Sequence, residues 1–216
     1  MKSKLICLLY CAAAAIAFLP RAEALPKNDL DRMLQGVTIN TTFEECLQRL
    51  PDALYSDAEL RETRPQADKP GALLIAHGTD PFLGVHAFAN IGFQEEKVYE
   101  LVTVWTGEKK DMEARCKRFL KALCKRHGED FEKKSLFVYP DSEQEMAVAV
   151  WVWENEEAVS LAFYTPPSPD STANNASLSF AQFKPDAEFL QDVFTKNPVP
   201  EEEARKAWEK MNKLIR

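Results

Sequence analysis

The stretch from Met146 to Tyr164 constrains the fold more than any other part of the chain. Residues 146–153 and 157–164 each alternate in polarity at the two-residue period of a β-strand, with a short polar link between them. With Asn155-Glu156 as the turn, Trp153 faces Ala158, Trp151 faces Ser160 and Ala147 faces Tyr164. The opposite side carries Val148, Val150, Val152, Val159, Leu161 and Phe163, a continuous apolar face that belongs in a core. The first side sets two tryptophans and a tyrosine among alanines and a serine, which leaves two readings open. Trp151, Trp153 and Tyr164 form a recognition surface, or a C-terminal helix covers them through Trp208 as a second core layer. A one-residue change in turn length would exchange the two faces.

The flanking sequence supplies more strands and the helices to cover them. Thr42-Phe43-Glu44-Glu45 is a capping box, opening a helix that Pro51 stops, with Phe43, Cys46, Leu47 and Leu50 on one side. Residues 56–71 are charged and read as a surface connection. Strands are expected at 72–76, 85–93 and 98–105, with turns at Gly78-Thr79-Asp80-Pro81 and at Glu95-Glu96. From 109 to 127, Met112, Cys116, Phe119, Leu120, Leu123 and His127 recur at helical spacing, and Gly128 closes the helix. Strands follow at 136–139, 146–153, 157–164 and 177–183. Asp186 opens a short helix with Phe189, Leu190, Val193 and Phe194, and a last helix starts at Pro200 with Ala204, Ala207, Trp208, Met211 and Leu214 on its apolar side. Short turns between successive strands predict an antiparallel sheet packed against helices. The class is therefore α+β, in a single domain over 25–216, and helix-then-strands occurs twice, as in a tandem repeat.

Residues 1–24 read as a secretory signal peptide. Lys2 and Lys4 precede the apolar run Leu5–Leu19, and Ala22-Glu23-Ala24 is a cleavage site. A periplasmic or secreted protein is expected, with no membrane-spanning segment. The whole chain carries 27 Lys+Arg against 34 Asp+Glu. Without Lys2, Lys4, Arg21 and Glu23 the net charge is −9, which argues against nucleic acid as a partner. Cys46, Cys116 and Cys124 remain after cleavage. Cys116 and Cys124 are about 12 Å apart along one helix, too far to bridge. A disulfide, if one forms, joins Cys46 to one of the two, with Cys116 favoured over Cys124 by its place on the helical wheel; the alternative is three buried thiols.

The run Phe93-Gln94-Glu95-Glu96-Lys97-Val98, the helix ending Arg126-His127-Gly128, and Trp151 or Trp153, Leu161 and Tyr164 together resemble small exported bacterial helix-plus-sheet modules. The groups in question are the beta-lactamase-inhibitor-protein-like group and the small outer-membrane assembly lipoproteins. The resemblance implies an antiparallel sheet curved against helices. It transfers no catalytic residue, because such modules act by contact.

Chemistry-bearing motifs are sparse. The chain has no G-x-S-x-G, H-E-x-x-H, Walker loop or G-x-G-x-x-G, and no motif that calls for a cofactor or a metal. His77, Asp80 and His86 flank one turn and are the candidates for a small extracytoplasmic hydrolase or ligand carrier. The favoured expectation is a non-catalytic, monomeric or weakly dimeric binding protein of the cell envelope. It would meet a protein or envelope component through Trp151, Trp153, Tyr164 and the 165–175 loop. Lys117, Lys121 and Lys125, on the solvent side of the long helix, are further candidate contacts.

Overall fold

The computed structural model describes residues 36–50, 54–55, 72–80, 82–139, 145–169, 172–187, 194–195 and 198–216, with 54–55 and 72–77 described as main chain. The expected signal peptide, and most of the helix expected after Asp186, lie outside the described residues.

The order of elements is α1 (Phe43–Arg49), β1 (Leu54–Tyr55), β2 (Ala72–Asp80), β3 (Val85–Gln94), β4 (Lys97–Glu108), α2 (Lys109–His127), β5 (Glu132–Val138), β6 (Met146–Glu154), β7 (Val159–Thr165), β8 (Asn175–Phe183) and α3 (Glu201–Ile215). The fold is α+β, with every strand pair antiparallel. The sheet order is β1-β2-β3-β4-β8-β7-β6-β5. Each half is a helix followed by a four-strand meander, and the last strands of the two halves, β4 and β8, pair at the centre. The doubled order expected from the sequence is therefore built as two modules sharing one sheet.

Local chemistry explains the boundaries. Thr42 and Glu45 form the capping box, each side chain bonded to the other's main chain. These bonds hold the Glu45 carboxyl below its ordinary range. Glu95 and Glu96 turn β3 into β4 with φ of 49° and 61°, the left-handed pair that a tight two-residue hairpin requires. α2 ends where Gly128, at φ 94°, donates its N–H to the Cys124 carbonyl. β2 runs on to Asp80 instead of stopping at residue 76, so the described turn falls at 82–84 and not at Gly78–Pro81.

The β6–β7 link is longer than Asn155-Glu156. The Asn155 side chain accepts from the N–H groups of Glu157 and Ala158, and four residues make the loop. Trp153 consequently pairs with Ser160 and Trp151 with Ala162, not with Ala158 and Ser160. The register moves by two residues. An even shift leaves both faces as expected, because side chains alternate with period two.

The three helices given above pack on one face of the sheet. There Trp105, Phe119, Leu123, Trp151, Leu178 and Met211 belong to one buried cluster under α2 and α3. Phe43, Cys46, Ile91 and Leu101 belong to a second, under α1. On the other face Val148, Val150, Val152, Val159, Leu161 and Phe163 form a third buried cluster, joined by Ala187 and Phe194. None of the described helices is long and apolar enough to cross a membrane.

Candidate binding surfaces

The aromatic set on β6 and β7 is not a surface. Trp151 is 3% exposed, Trp153 5% and Tyr164 7%. The Trp151 ring meets Trp208 of α3 edge-on at 5.4 Å. Trp153 donates its indole N–H to the Gly128 carbonyl at 3.0 Å. Tyr164 lies beneath α2 beside Glu113 and Cys116, and burial pushes its phenol well above the ordinary range. The recognition-surface expectation for Trp151, Trp153 and Tyr164 is thus corrected. The amphipathic helices α2 and α3 have apolar sides of their own to bury, and these aromatics are what they bury them against.

The His77, Asp80 and His86 set is divided by strand parity. The β2–β3 register places positions 77 and 86 on the outer face, and Asp80 on the helix face. Asp80 is fully buried and saturated. Its carboxylate accepts the Trp105 indole N–H at 2.6 Å and the main-chain N–H groups of Phe82 and Leu83 at 3.0 and 3.3 Å. It pins the turn to β4, and α2 grips the same turn from above. There Arg115 donates to the Leu83 carbonyl and the Arg118 guanidinium lies over the Phe82 ring. Asp80 and His86 thus stand on opposite faces of the sheet, and the side chain at position 77 lies outside the description. Among the described residues no group of three His, Cys, Asp or Glu could hold a metal ion.

The thiols are separate too. Cys46 is on the buried side of α1 and Cys116 on that of α2, in different clusters, and Cys46, Cys116 and Cys124 are all free. The possible Cys46–Cys116 disulfide is therefore corrected to two buried thiols. Burial pushes both up to about 12, so they stay protonated and unreactive. His127, at the end of α2, packs against Trp153 and Phe180. Its Nε2 has no hydrogen-bond partner among the described residues. Burial, with the neighbouring Arg126 adding to it, lowers its pKa from 6.5 to about 4. The unfolded chain thus binds a proton that the folded chain refuses between those two values. Stability is greatest above pH 6.5 and falls as the pH drops toward 4, by about 1–2 kcal/mol for a partly solvated ring. Urea unfolding at pH 7 and pH 4.5 measures this, and His127→Phe is expected to remove most of the difference.

Two features reach solvent with binding chemistry. The first is α2, whose 19 residues hold eight lysines and arginines but only Asp111 and Glu113 as acids. Those two acids pair within the first turns, with Arg115 and Lys109. Lys117, Arg118, Lys121 and Lys125 are exposed along one side. Lys117 reaches the main-chain oxygen of Arg216, whereas Lys121 and Lys125 have no ion pair among the described residues. The neighbouring α3 neutralises itself through Arg205 with Glu202 and Glu209, and Lys206 with Glu202. The C-terminal end of the 165–175 loop meets the start of α2. Asn174 accepts the Lys109 N–H, and Tyr139 donates to the Pro166 carbonyl at the loop's other end.

The second feature is a groove of about 540 Å³ beside β5, between this edge strand and the start of α3. The sequence reading begins this strand at Leu136 and so misses Glu132–Ser135. The signal was there: consecutive lysines mark the edge of a sheet.

Together the fold and these surfaces define an α+β protein with one basic helix on an acidic body. The chain matches no protein-family model, no curated protein and no solved structure.

Proposed function

We propose that this chain is an exported, non-catalytic binding protein of the bacterial envelope that meets an acidic protein partner along the solvent side of α2. The observation that carries the reading is the concentration of cations on α2, with Lys121 and Lys125 exposed and without an ion pair among the described residues, on a chain whose net charge is −7. Such a separation of charge speeds encounter with acidic partners and repels basic ones. The cations form a narrow line along one helix, and such a line suits an acidic segment better than a broad anionic plane. The 165–175 loop would extend the contact at the start of the helix. The sequence resemblance to the beta-lactamase-inhibitor-protein-like group would imply a contact mode of action, which agrees with this reading.

Poly-glutamate titrated into the protein tests this reading. Binding is expected to weaken steeply between 50 and 200 mM salt (about tenfold or more). The triple substitution Lys117→Glu, Lys121→Glu, Lys125→Glu should abolish it without moving the unfolding midpoint, as the side chains are exposed. Equal binding by wild type and triple variant would remove α2 from the proposal. Preference for anionic vesicles over poly-glutamate would replace the partner class.

A further inference from the structure

The main-chain bonding pattern fixes what β5 offers to the groove beside it. Asn155 donates its N–H to the Ala158 carbonyl, so mutually bonded pairs recur at Trp153 with Ser160 and at Trp151 with Ala162. The Lys109 bond to Asn174, followed across β4, β8 and β7, leads to the same pairs. On β6 the intervening Val150 and Val152 must then turn their main chain toward Lys134 and Glu132 of β5. The main-chain groups of Lys133 and Ser135 point the other way, out of the sheet and into the groove. No main-chain partner meets them among the described residues.

The side chains add charge and an apolar wall. Lys133 lies on the helix face with its ammonium 5.3 Å from the Trp208 ring. It has no ion pair among the described residues, whereas Lys134 is paired with Glu132 at 2.6 Å. The Ser135 hydroxyl is buried without a hydrogen-bond partner among the described residues. Trp208 keeps its own N–H on the Lys134 carbonyl at 2.9 Å, which fixes its ring as a wall. Phe194, Pro198 and Val199 add apolar lining, and Glu201 and Arg205 of α3 also border the groove.

We infer that this groove binds an organic carboxylate with an apolar body. The anion meets the Lys133 ammonium, the Ser135 hydroxyl and the Ser135 main-chain N–H, and the body lies between Trp208 and Phe194. A cation with two neutral donors suits a two-oxygen anion, and the groove is of the size that holds small ligands. A free small acid and the C-terminus of a peptide carry the same chemistry. This inference stands apart from the α2 reading, since the groove and the α2 stripe share no residue.

The test follows amide and indole N–H resonances of the full mature chain while 3-phenylpropanoate is added. Saturable shifts are expected at Lys133, Lys134, Ser135 and the Trp208 indole. The uncharged 3-phenylpropanol should bind at least about tenfold more weakly, and Lys133→Ala should cost a similar factor for the acid. The α2 triple variant should bind the acid as wild type does, so failure of either proposal is seen separately. Peptides ending in phenylalanine, with a free or an amidated C-terminus, distinguish the two sources of the carboxylate. No shift up to millimolar acid, equal binding of the alcohol, or an unaffected Lys133→Ala would each overturn the inference.

Discussion

Asp80→Ala is expected to lower the free energy of unfolding by about 3–5 kcal/mol. The carboxylate is wholly buried and accepts three N–H groups, one from Trp105 and two from the turn that it caps. Alanine removes the acceptor and leaves all three donors in a space that water reaches poorly. Asp80→Asn keeps the volume and one acceptor oxygen, so its cost should be smaller, about 2 kcal/mol. Denaturant unfolding by far-UV circular dichroism measures both. If Asp80→Ala shifted stability by less than 1 kcal/mol, the anchoring role would be wrong and Asp80 would be available for other chemistry.

Trp151→Ala is expected to cost about 3–5 kcal/mol, the usual range for truncating a buried aromatic. Trp151 lies at the centre of the layer that joins β6 to α3, edge-on to Trp208. Its loss removes contacts on both the sheet and the helix, and α3 should become susceptible to limited proteolysis before the sheet does. The same substitution at an exposed recognition residue would change stability by about 0.5 kcal/mol or less. The size of the effect therefore separates a core tryptophan from a binding one. Acrylamide quenching gives an independent check, with Trp151 and Trp153 expected to be protected.

Much of the fold could be read along the chain because its signals are local. The capping box at Thr42 and Glu45, the helical period of Met112 to Leu123 and the alternation on either side of Asn155 depend on neighbours a few residues apart. Even the misplaced β6–β7 turn did little harm, since an even error preserves which side each residue faces. The candidate sites fared differently. His77, Asp80 and His86 look like a cluster at nine residues' span, yet a paired strand sends positions of opposite parity to opposite faces. Cys46 and Cys116 are suitable in composition for a bridge, but they are committed to separate clusters under different helices.

The sequence by itself determined the α+β class, the helix-then-strands order and the basic side of α2, because hydrophobic period and charge spacing are properties of adjacent residues. Only the tertiary structure decided what covers each face. Trp151 became core because α3, some fifty residues further along, brings Trp208 onto it, and Trp153 and Tyr164 because α2 and its C-terminal end cover them. The groove at β5 exists because the chain returns past that edge on its way into α3, placing Phe194 and Trp208 beside Lys133 and Ser135. Such juxtapositions depend on how elements dock, and docking is set by the summed burial of whole faces, which no local pattern records.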